Sequence, residues 1–128
     1  MNVLALSTDS DCLGHVARIF SDQVTAITPL PDVSKFFESA RSGQWSTFIV
    51  DYDLLKSVLP NPLDLIPQLP VGSQFVFVGA HSFADWHDQL RVAGAIVLHK
   101  PNTVGEFGVA LRKVAADRQR DQQACLRG

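Results

Sequence analysis

The sequence predicts an α/β fold built on a parallel sheet, and three observations carry that expectation. Short, continuously apolar runs recur along the chain: Val3-Leu4-Ala5-Leu6, Phe48-Ile49-Val50, Phe75-Val76-Phe77-Val78 and Ala95-Ile96-Val97-Leu98. Runs of that length, apolar at every position, suit parallel strands covered on both faces. Val24-Thr25-Ala26-Ile27-Thr28 alternates instead, as an edge strand would. Between the runs, apolar residues return at helical spacing. Five such strand and helix pairs with right-handed crossovers give a flavodoxin-like, doubly wound (βα)5 sandwich whose parallel five-stranded sheet has the order 2-1-3-4-5.

The helical faces are Leu13, Val16, Ala17 and Phe20; Val33, Phe36, Phe37 and Ala40; Phe83, Trp86, Leu90 and Ala93; and Val104, Phe107, Leu111 and Val114. Asp32 and Ser82 suit N-caps, Gly94 suits a C-terminal stop, and Thr103-Val104-Gly105-Glu106 fits a capping box. Trp86 shares its face with Phe83 and Leu90 and is expected in the core. The segment from Leu54 to Leu69 contains Pro60, Pro62 and Pro67, so its helix is expected to be short, broken or partly replaced by loop. Residues 1–118 read as one domain and 119–128 as a polar helical extension or linker.

The 128 residues suffice for one core. With 46% hydrophobic and 19% charged residues, the chain has the composition of a folded domain. A net charge of −2 offers no general attraction to nucleic acid or to an anionic membrane. No apolar run approaches the roughly 20 residues of a membrane span. Met1-Asn2-Val3 enters a strand pattern without a basic leader, and a cytoplasmic location is expected. Cys12 and Cys125 read as free thiols.

The predicted strand order places chemistry where the order reverses, beyond the carboxyl ends of strands one and three. Ser7, Thr8 and Asp9 meet Asp51 there, with Asp53 close behind, while Gly79, Ala80 and Lys100 follow the neighbouring strands. Pro101 ends the last strand directly after Lys100.

Residues 1–118 resemble a receiver domain of two-component response regulators. Asp51 stands at that family's phosphoacceptor position and Lys100-Pro101 at its lysine-proline. The resemblance implies a signalling module in a bacterial response or transcription regulator, with dimerisation through the face formed by helix four, strand five and helix five. It also exposes departures. Ser7-Thr8 stands where receivers carry an acidic pair for magnesium, Gly79 where a hydroxyl residue is expected, Val97 where a switch aromatic is expected, and Leu55 where a proline often follows. The chain therefore resembles an atypical, or pseudo-, receiver.

Phosphoryl transfer to a carboxylate requires the phosphate charge to be neutralised, normally with a divalent cation. Ser7 and Thr8 supply only neutral oxygens, and Asp51 facing Lys100 is balanced, so magnesium binding is expected to be weak or absent unless Asp9 or Asp53 turns inward. No other cofactor is expected.

His15, His81, His87 and His99 lack a tight ligand spacing, and no metal site is expected. His81 and His99 follow strands four and five and could meet at the pocket rim, although exposed histidines are the simpler reading. Asp85 and Asp88 read as a solvated face. No nucleophile motif such as GxSxG occurs, and no enzyme activity is expected. The strand-one loop Ser7-Thr8-Asp9-Ser10-Asp11 has two acids and no glycine, poor chemistry for cradling a phosphate as flavodoxins do. Basic residues after Arg112 are interleaved with acids and glutamines, which argues against nucleic-acid binding.

These observations point to a phosphorylation-independent regulatory module acting by protein–protein contact, expected to be a homodimer, with an output domain or partner protein. Arg91 and Arg112 are the expected charged positions on its dimer face. The alternatives are a phosphoacceptor using Asp51 with unusual metal ligands and a small-ligand sensor using the vacated pocket.

Overall fold

The computed structural model describes residues 2–22, 24–70, 72–79, 86–100 and 104–127, with side chains up to Ala116. Among these, the apolar runs form β1 (Asn2–Leu6), β3 (Thr47–Asp51), β4 (Gln74–Gly79) and β5 (Ile96–His99), and β2 spans Ala26–Leu30. All pairings are parallel, in the order β2-β1-β3-β4-β5. The helices are α1 (Ser10–Ile19), α2 (Val33–Ala40), α3 (Tyr52–Leu55), α4 (His87–Val92) and α5 (Val104–Arg127). This is the flavodoxin-like doubly wound architecture.

Two boundaries depart from expectation. The edge strand begins two residues late and includes Pro29 opposite Ala5, which an edge tolerates because proline withholds only one donor. Val24 instead closes α1, its N–H donating to the Phe20 carbonyl at 3.0 Å. The proline-rich stretch after β3 forms only the single turn of α3 and a 3-10 helix at Pro62–Gln68, whose first turn is capped by the Asn61 side chain. Pro62 sits in that first turn, where a missing N–H costs nothing.

Because strand side chains alternate, the sheet feeds two cores. Val3, Ala5, Ile49, Val76 and Val78 join Leu13 and Val16 of α1 and Phe107, Leu111 and Val114 of α5. Leu4, Leu6, Phe48, Val50, Phe75 and Phe77 join residues of α2, α3 and α4. On that second face Phe36, Phe48, Phe75 and Phe77 form successive ring contacts at centroid distances of 6.0, 5.8 and 5.9 Å. A buried ring of this size stabilises by about 1.5–3 kcal/mol through apolar area alone. Trp86 is half-buried against this cluster. Asp32 caps α2 through Lys35 N–H, and Gly94 (φ +93°) ends α4. Ser82, Phe83 and Thr103 lie outside the described residues.

Gly108 lies in the second turn of α5, inside the helix, where glycine costs about 1 kcal/mol relative to alanine. The Phe20 ring explains it. A Cβ at position 108 would fall inside that ring, and the Arg112 guanidinium covers the same ring at 4.9 Å from its centroid. Gly108→Ala should therefore lower stability by about 1–2 kcal/mol despite its better helix propensity. Combining it with Phe20→Leu should recover part of the loss in denaturant titrations; a stabilised Gly108→Ala would show that the ring has room.

Candidate functional site

The carboxyl ends of β1 and β3 diverge toward α1 and α3, opening a cleft at the reversal of strand order. A cavity of about 450 Å³ lies there, lined by Ser7, Thr8, Asp9, Asp51 and Lys100 over a floor of Leu6, Ile49, Val78 and Phe107. Asp51 is the last residue of β3 and Lys100 the first after β5, so two strand ends bring together groups 49 residues apart.

Lys100 Nζ donates to Asp51 Oδ2 at 2.7 Å and to Asp53 Oδ2 at 2.9 Å. Asp51 Oδ1 accepts from the Asp53 N–H at 2.9 Å, capping α3. Both Asp51 oxygens therefore have donors. The expected Asp51–Lys100 ion pair is present, and Asp53 joins the same cluster, with the Lys56 ammonium 3.9 Å from its other oxygen. The sequence marked Asp53 as a residue that could turn inward, and the turn of α3 is what brings it to Lys100. Asp9 is committed elsewhere. Its Oδ1 accepts from Cys12 N–H and caps α1, while its own N–H donates to Ser7 Oγ at 3.0 Å.

Gly79 ends β4 and accepts the Lys100 N–H at 2.9 Å without lining the cavity. Ala80, His81 and Pro101 lie outside the described residues, as does Asp85. Val78 and Phe107 line the cavity and carried no polar signal to mark them. Cys12 is a free thiol. Burial and the nearby Asp9 charge push its pKa up, leaving it protonated and a poor nucleophile at neutral pH. His99 contacts His87, a pairing between α4 and β5 that sequence spacing did not suggest.

Burial is the largest influence on the Lys100 ammonium and pulls its pKa down. The hydrogen bonds and charges of Asp51 and Asp53 outweigh it and hold the group above the ordinary lysine value. With the folded pKa raised, this stabilisation is fully present below the reference 10.5 and is lost as pH rises through the folded value. Lys100→Met should cost about 1–2 kcal/mol, less than a fully buried pair because Lys100 is 34% exposed. Lys100→Met with Asp51→Asn should cost less than the single change, and the deficit of the single variant should narrow in strongly alkaline buffer. Additive losses across the double-mutant cycle would show that the two side chains are not coupled.

No protein-family model matches the chain, and no curated protein matches it significantly. Solved structures do. A protein assigned as the CpaE2 pilus assembly protein of Sinorhizobium meliloti superimposes with a TM-score of 0.65 at 16% identity, over 88% of this chain and 98% of that one. A response regulator from Burkholderia pseudomallei, with a phosphorylated aspartic acid, calcium ion and citrate, gives 0.62 at 20% identity over 94% and 72%. A response regulator receiver domain from Clostridium thermocellum gives 0.61 at 16% identity over 93% and 96%. The chain shares the fold of response regulator receiver domains.

Proposed function

We propose that the chain is a regulatory module of a bacterial-type signalling protein that acts through protein–protein contact without being phosphorylated. One observation carries this reading: the Lys100 ammonium bridges Asp51 and Asp53. A magnesium ion needs hard oxygen ligands, usually including one or two carboxylates. Here both carboxylates share a fixed cation, Asp9 is held in a helix cap, and Ser7-Thr8 contributes only neutral oxygens. Among the described residues no group of three acidic, histidine or cysteine side chains could hold a metal. The donor set therefore does not fit the ion that phosphoryl transfer normally employs, and the proposed role requires none.

The second reading, a phosphoacceptor, is favoured by Asp51 ending β3 within reach of Lys100 and by the phosphorylated aspartic acid in the Burkholderia regulator. Mass spectrometry after exposure to a small phosphoryl donor and millimolar magnesium decides between them. The expected result is unmodified protein; a stoichiometric, base-labile phosphate on Asp51 would establish the second reading.

Self-association is assigned to the face of α4, β5 and α5. Val92 is 90% exposed and Val109 67% exposed there. Ile96, Leu98, Val109 and Ala110 line an open groove of about 520 Å³ bounded by Glu106 and Lys113. The groove borders β5, the edge strand of the sheet, so an isologous contact would bury the same apolar residues of both copies, which favours a second copy as the occupant. Arg112, expected as a charged probe of this face, instead lies over Phe20 of α1. Val109 and Arg91 are the appropriate probes. Sedimentation across a wide concentration range should show a dimer, weakened at least about tenfold by Val109→Asp or Arg91→Glu, corresponding to roughly 1.4 kcal/mol. A protein that remains monomeric throughout would remove this assignment.

A further inference from the structure

We propose that His87 and His99 form a two-histidine chelating site for a divalent first-row transition ion, on the rim where α4 meets the carboxyl end of β5. His87 Nδ1 and His99 Nε2 lie 3.3 Å apart, in rings whose centroids are 4.6 Å apart with an interplanar angle of 75°. Two nitrogens each bound at about 2.0–2.1 Å to a tetrahedral zinc ion are about 3.3–3.4 Å apart. The pair thus has the separation of adjacent ligands on one ion.

The imidazoles come from different elements whose backbones are fixed. His99 is in register with Gly79 in the ladder, and His87 opens α4. In the protein alone one N–H can link the two nitrogens. Rotation of both rings about χ2 would turn the two lone pairs toward a shared third point, exchanging the hydrogen bond between them for two coordinate bonds. Water would complete the coordination, since no third metal-ligating side chain among the described residues joins the pair.

The surrounding charges permit this. Burial, then Arg91, then His99 lower the His87 pKa, with Asp88 opposing, which favours the neutral imidazole that a metal requires. Arg91 and the neighbouring Lys100 oppose a cation, and Asp88 attracts it. Neutral imidazoles favour zinc, nickel and copper over magnesium and calcium. The site does not depend on the function proposed for Asp51, and it would tie α4 directly to β5.

The test is calorimetric titration of the tag-free chain with zinc chloride alone at about pH 7.5, where free imidazole is mostly neutral. The expected result is one zinc per chain, with binding weakened at least about tenfold by either His87→Gln or His99→Gln. Magnesium chloride should not compete, and the combined Asp51→Asn, Asp53→Asn variant and Cys12→Ser should retain zinc. Circular dichroism melting without metal confirms that each variant is folded; the exposed His99 provides the ligand deletion least coupled to the core. The proposal is overturned if the chain does not bind zinc, if both histidine variants bind it as tightly as the parent, or if binding is lost in the carboxylate or cysteine variants instead.

Discussion

A parallel sheet covered on both faces leaves almost nowhere to place charge. Each interior strand of this molecule sends alternate side chains into two apolar cores, so a charged group along its length would be stranded without water. The strand ends are the exception. Asp51 ends β3, and Lys100 and Ser7 immediately follow β5 and β1. Parallel pairing brings these ends to one edge of the sheet, and its order opens a cleft between β1 and β3. The polar cluster therefore occupies a position made available by apolar burial. Its ion pairs orient the cleft, while most of the stabilisation comes from the side chains beneath it.

Within that cleft a lysine does part of the electrostatic work that a divalent ion could do. Its ammonium lies within hydrogen-bond distance of two carboxylates and supplies one positive charge, and Lys56 brings a second to within 3.9 Å of Asp53. An ammonium on a flexible stem donates hydrogen bonds but presents no open coordination position to a third oxygen. The arrangement can bind and orient neighbouring groups, but it lacks the geometry a metal imposes on a phosphoryl group.

The fold was legible because its signals are local. Val3–Leu6, Phe48–Val50 and Phe75–Val78 announce buried strands by composition, and Asp32 and Gly94 mark helix ends by chemistry confined to one turn. Pro29 concealed the true span of β2 because edge tolerance depends on a neighbour that sequence alone does not display. The site was legible in outline through Asp51 and Lys100. The contribution of Asp53 depended on the backbone turn of α3, and the proximity of His87 and His99 depended on how α4 packs over β5. Arg112 was placed on the wrong side because a helical wheel does not reveal which neighbouring aromatic attracts a guanidinium.

The close approach of α5 to α1 at Gly108 gives the long helix an anchor. Phe20 and Arg112 clamp α5 next to Phe107, which lines the cleft, and the helix continues to Arg127. Leu111 and Val114 hold it in the core beyond Gly108, and past Val114 it extends roughly 20 Å at about 1.5 Å per residue. A tilt of about 5° there would carry its far end through roughly 1.7 Å on that length. The direction of this projecting stretch is therefore set by the packing of α5 on the sheet and on α1, where the Phe20 ring leaves no room for a methyl group at position 108.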